Sequence, residues 1–194
     1  MREREPELAA RLCELVGATP WLMEALRQVR ALEVPNWCIG AGAVRNLVWD
    51  AAHGNLLHAH AESDVDVAYF DPADMGSERD QALQERLKLA CPQLDWEVTN
   101  QAGVHHWYAE RFGFAVPPLR SLEEALSTWP ETATAVGVYL DAADQLHVVA
   151  PLGLVDLFSL IVRHNPARVS AETYHQRLAS KRYQARWPKL QVLV

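Results

Sequence analysis

The sequence predicts an α/β (α+β) fold, a mixed sheet flanked by helices with further helices leading and trailing it. Three observations predict it. Short β-forming runs at 37–39, 65–69 and 94–98 alternate with stretches whose apolar residues recur at helical spacing. A further pair of runs, at 133–140 and 146–149, flanks the turn Asp141-Ala142-Ala143-Asp144 and reads as a hairpin. The chain of 194 residues, 49% hydrophobic, suffices for one sizeable core. Strands separated by helices and followed by a hairpin give strands of mixed direction. Residues 1–194 are read as a single domain, with the Pro117-Pro118 joint as its best internal boundary.

In chain order, Leu8, Leu12, Leu15 and Val16 predict a first helix that Gly17 ends. Thr19-Pro20 offers an N-cap followed by proline at the first helical position, opening a second helix that buries Leu22, Ala25, Leu26 and Val29. Pro35-Asn36 turns into the strand at Trp37. The small-residue turn Gly40-Ala41-Gly42-Ala43 then leads into a helix with Val44, Leu47, Val48 and Ala51 on one side. After the strand at 65–69, Ser77 and Asp80 suggest a capping box for a helix with Leu83 and Leu87 inward, closed by Cys91-Pro92. A short helix around His105-His106-Trp107-Tyr108 ends at Gly113, and Ser121 with Glu124 caps a helix running to Trp129. Helical patterns are expected again from Leu154 to Arg163 and from Ala171 to Arg186.

Charge and cysteines bound the function. A net charge of −7 argues against broad DNA or RNA affinity. Cys13, Cys38 and Cys91 lack metal-motif spacing and read as reduced thiols. No apolar run approaches the roughly 20 residues of a membrane span. The charged start Met1-Arg2-Glu3-Arg4-Glu5 has no signal-peptide core behind it, so the expected location is the cytoplasm.

The chemistry concentrates on the strand Asp64-Val65-Asp66-Val67-Ala68-Tyr69. Val65, Val67 and Tyr69 share one face, which leaves Asp64 and Asp66 on the other, roughly 6–7 Å apart along the strand. Two like charges at that spacing repel unless a cation lies between them, and Mg²⁺ favours hard carboxylate oxygens. The alternative is a solvated acidic edge. The helix start at Gly40 and Gly42 exposes backbone N–H groups suited to a phosphate, or else needs glycine for steric reasons alone. Arg45, one turn in, either assists electrostatically or pairs with an acidic neighbour. A phosphoryl-transfer site usually takes a third carboxylate from a neighbouring strand, for which Asp95 and Glu97 are the candidates. Asn100 and Gln101 after that strand either bind a ribose or base, or cap the strand end. His58 and His60 read as loop residues, and His105 as a phosphate contact or a support. Arg177, Lys181, Arg182, Arg186 and Lys189 form a basic stripe that meets a triphosphate or a nucleic-acid strand, or is solvated.

The Gly40–Ala43 turn followed by Asp64-x-Asp66 resembles the nucleotidyltransferase superfamily, and Gly42-Ala43-Val44-Arg45-Asn46 resembles the corresponding segment of CCA-adding tRNA nucleotidyltransferases. The chain is most similar to an uncharacterised bacterial family of nucleotidyltransferase-like proteins. The similarity also covers Trp49-Asp50, His53-Gly54, Trp96-Glu97-Val98, Asn100-Gln101-Ala102, 129–134 and Trp187-Pro188. Ala41 stands where a first glycine is usual, Asn46 replaces a common acidic residue, and the loop from Gly54 to Glu62 is long. The resemblance implies a Mg²⁺ (or Mn²⁺) site at Asp64, Asp66 and Glu97, the last favoured over Asp95. It also implies nucleotide contacts at Gly40, Gly42, Arg45 and Asn100. The expected activity is transfer of a nucleoside monophosphate from a nucleoside triphosphate to an unknown acceptor, whether small molecule, protein or RNA. The alternatives are a non-catalytic nucleotide- or protein-binding member of the same fold, and a metal-dependent phosphohydrolase.

Overall fold

The computed structural model describes residues 4–55 and 64–193. His58, His60 and most of the loop from Gly54 to Glu62 lie outside the described residues. The elements in order are α1 (Arg4–Gly17), α2 (Pro20–Arg30), β1 (Trp37–Gly40), α3 (Ala41–His53), β2 (Val65–Tyr69), α4 (Ser77–Ala90) and β3 (Trp96–Asn100). A 3-10 turn (Gln101–Gly103) leads to α5 (Val104–Phe112), α6 (Leu122–Leu126), β4 (Gly137–Leu140) and β5 (Leu146–Val149). Then come α7 (Val155–Phe158), β6 (Ile161–Arg163), α8 (Ala171–Lys181), α9 (Tyr183–Arg186) and β7 (Gln191–Leu193).

Five strands form a mixed sheet in the order β3-β2-β1-β4-β5. β1 runs antiparallel to both β2 and β4, β2 runs parallel to β3, and β4–β5 is the expected hairpin. The alternation expected on β2 is realised: Val65, Val67 and Tyr69 are buried with Trp96, Val98 and Ile39 in the main core, beside Leu12, Leu22, Leu26 and Val44 from the helices. Cys38, Ala68 and Phe70 gather instead with Leu122, Ala125 and Leu126 of α6 in a smaller cluster. Ala68 and Leu119 of that cluster line a cleft on this face together with Asp66 and Glu97.

Four expectations are corrected. The helix expected from Leu154 to Arg163 is the single turn α7. Leu160 takes a left-handed backbone (φ 59), and the β-branched pair Ile161-Val162 continues as β6, parallel to β7. The helix expected to Arg186 breaks at Arg182 (φ 48), which turns Tyr183 inward. The hairpin's first strand starts at Gly137, because residues 131–136 form turns closed by bonds such as Thr134 N–H to Glu131 C=O. Ser77 and Asp80 make no capping box: Gly76 holds the cap position, and Asp80 accepts hydrogen bonds from the Tyr69 hydroxyl and the Asn100 N–H. The cap at Ser121 forms as expected, its hydroxyl accepting from the Glu124 N–H.

A candidate active-site cleft

The register of β2 against β3 sets Asp66 beside Glu97, on adjacent parallel strands. The register of β1 against β2 sets Gly40 beside Asp66, so α3 begins directly next to this pair. Asp66 accepts a hydrogen bond from the Gly42 N–H. Asp64, Asp66 and Glu97, with Ala41, Gly42 and Arg45, line one cleft of about 750 Å³. Asp95 does not line it; its carbonyl accepts the Val65 N–H at the strand entry.

Burial pushes the Asp66 carboxyl up to about 6, and the charges of Glu97 and Asp64 add to that rise. The Arg45 charge and the Gly42 N–H oppose it. A carboxylate raised by burial, and further by two neighbouring acids, is stabilised by a cation. The hard-oxygen donor set fits Mg²⁺ or Mn²⁺ rather than a softer metal. Among the described residues no three carboxylate, imidazole or thiol side chains are gathered into a ready-made metal cage.

Arg45 is buried at the base of the cleft. Its Nη1 donates to the Thr134 hydroxyl at 2.9 Å and to the Tyr183 hydroxyl at 3.3 Å, and its guanidinium lies over the rings of Trp49 and Tyr183. Thr134 and Tyr183 in turn donate to Glu131, which is 1% exposed and also ion-paired with Arg177. Arg45 thus reaches an acid only through hydroxyls, and its charge acts on Asp66.

Gly40 and Asn100 both have structural uses in the fold. A Cβ on Gly40 would stand 2.9 Å from the Trp129 ring and 2.9 Å from the Val136 carbonyl, so packing requires glycine there, and Gly40 does not line the cleft. The Asn100 side chain accepts from the N–H groups of Asp71 and Ala102 and donates to the carbonyls of Asp71 and Asp74, which leaves it buried and satisfied behind the cleft. Ala41 adopts the left-handed backbone (φ 48) that a glycine would take more easily.

Of the basic stripe, Arg177 and Lys181 line the cleft, whereas Arg186 pairs with Asp50 and Lys189 donates to the Ala52 carbonyl. The Glu131–Thr134–Arg177 network and the Trp129 ring over Gly40 were not anticipated, although 129–134 and Gly40 were each singled out separately. His105 is half-buried on α5 and does not line the cleft.

Residues 27–192 match the sequence profile of a family described as Nucleotidyltransferase. Among solved structures, the chain is similar to one whose NMR structure "reveals a CCA-adding enzyme head domain", with a TM-score of 0.75 and 29% sequence identity over 94% of each chain. The curated proteins give no match.

Proposed function

The chain belongs to a nucleotidyltransferase family, and from that premise we propose a Mg²⁺- or Mn²⁺-dependent transfer of a nucleoside monophosphate from a nucleoside triphosphate to an acceptor hydroxyl. The observation that carries this reading is the register that sets Asp66 beside Glu97 and next to the start of α3, with Asp64 in the same cleft. Asp64, Asp66 and Glu97 would hold the ion, which when bound lowers the hydroxyl pKa and neutralises the leaving pyrophosphate. With the Ala41 N–H bonded to the Val136 carbonyl and the Gly42 N–H to Asp66, the next N–H groups of the first turn of α3 would take the triphosphate, and Arg45 would add positive charge behind them. In the transfer, the acceptor oxygen bonds the α-phosphorus and the bond from that phosphorus to the bridging oxygen breaks. Pyrophosphate leaves with the electron pair, and the hydroxyl proton passes to a carboxylate of the cluster.

The test follows label from α-labelled nucleoside triphosphates, together with pyrophosphate release, across a panel of small-molecule, protein and RNA acceptors. Asp66→Asn and Glu97→Gln should reduce release at least a hundredfold. In metal titrations Glu97→Gln should weaken Mn²⁺ binding, while Asp95→Asn stays within about threefold, a shift under roughly 0.7 kcal/mol. Loss of binding in Asp95→Asn but not in Glu97→Gln reverses the assignment. Nucleotide binding without pyrophosphate release points to a non-catalytic member, and inorganic phosphate released without acceptor points to a phosphohydrolase.

A further inference from the structure

The cleft has two unlike ends. Along β3 its floor passes from Glu97 through Thr99 to Gln101, roughly 13 Å at the usual rise, and reaches the α5 residues Val104, Trp107 and Tyr108. The facing wall is α8 and the segment before it, from Arg168 to Lys181. Contacts fix which end is which. Arg177 meets Glu131, which is bonded to Thr134 and through it to Arg45 at the acidic end. Arg168 lies over the Tyr108 ring, whose hydroxyl donates to the Arg168 carbonyl, at the α5 end. One end is therefore charged and the other aromatic.

The aromatic end is unusually open. Trp107, Phe112 and Phe114 are 42%, 47% and 46% exposed, and all three line the cleft together with buried Tyr108. Aromatic rings left half in water on the wall of a cavity mark a binding surface more often than a packing remnant. Beside them, Arg168 is held in place, its Nη2 donating to the Pro117 carbonyl at 2.6 Å and its guanidinium lying over the Tyr108 ring. A nucleoside triphosphate has the same polarity as the cleft: an anionic chain at one end, and at the other a flat ring with acceptors on its edge.

We propose that the α5 wall is the base platform for the donor nucleotide, with Trp107 and Phe112 stacking the nucleobase. The proposal rests on the nucleotidyl-transfer reading above. It is tested by calorimetric titration of ATP and of inorganic tripolyphosphate, each with Ca²⁺, into the whole chain and its variants. Trp107→Ala should weaken ATP binding about tenfold, as loss of a base stack does, and leave tripolyphosphate within twofold. Trp107→Phe, which keeps a stacking ring, should hold ATP within threefold. Unchanged ATP affinity in both Trp107→Ala and Phe112→Ala overturns the platform while leaving nucleotidyl transfer standing. Equal losses for ATP and tripolyphosphate also overturn it, since the ring would then not be what is read. A wild-type chain that binds neither ligand removes the nucleotidyl-transfer reading itself.

Discussion

At Ala41 a side chain occupies the left-handed backbone region at the entry to α3. That conformation costs roughly 1–2 kcal/mol for a residue with a Cβ, whereas glycine gives back about 0.4–1 kcal/mol through the freedom it adds to the unfolded chain. Ala41→Gly should therefore raise stability by up to about 1 kcal/mol, read from denaturant midpoints. Asp66 carries the pH dependence. Its carboxyl stands at about 6 in the folded chain against an ordinary 3.8, so the folded state binds the proton more tightly than the unfolded state does. The stability this contributes is complete below about pH 4 and lost as pH rises through about 6. Asp66→Asn cannot ionise, so without metal it should melt above wild type at pH 7–8 and level with it near pH 4. Added Mg²⁺ should close that gap by favouring the ionised wild-type carboxylate.

At the scale of elements, Asp80 shows how a helix is tied to the sheet. It lies on α4, yet it accepts from the Tyr69 hydroxyl on β2 and the Asn100 N–H on β3. Asp80→Ala should cost about 2–4 kcal/mol by leaving buried donors unpaired, while Ser77→Ala, with no cap bond to lose, should stay within about 0.5 kcal/mol; chemical denaturation of the two variants compares them directly. The sequence pattern Ser-x-x-Asp pointed to the wrong partner because a capping box and a cross-element bond use the same residue types. Asp64, Asp66 and Glu97 were legible because carboxylates within strand alternation declare a shared face, and strand pairing then brings those faces together. Gly40 and Asn100 each kept two readings, nucleotide contact or structural use, for the opposite reason. What decides their roles is Trp129 in one case and the Asp71–Asp74 segment in the other, and local spacing carries no record of such distant partners. The same limit hid the break at Arg182, where an unbroken helical pattern conceals a turn made to deliver Tyr183 to Glu131.

Across the whole molecule, one core cluster runs from Leu12 to Leu190, drawing on the leading helices, the sheet and the C-terminal segments. The chain should accordingly unfold in one cooperative transition, with calorimetric and van't Hoff enthalpies equal. Two resolved transitions would instead support a boundary near Pro117. Among the described residues no helix is long and apolar enough to cross a membrane. The buried Asp50 on α3 accepts from the Trp187 indole at 2.7 Å and the Arg186 guanidinium at 3.0 Å. A ribosome delivers Asp50 137 residues ahead of Trp187. Until then Asp50 lacks both of the donors that satisfy it in the finished fold. Helix α3 thus gains its link to the C-terminal segment only when the last residues of that segment have been made.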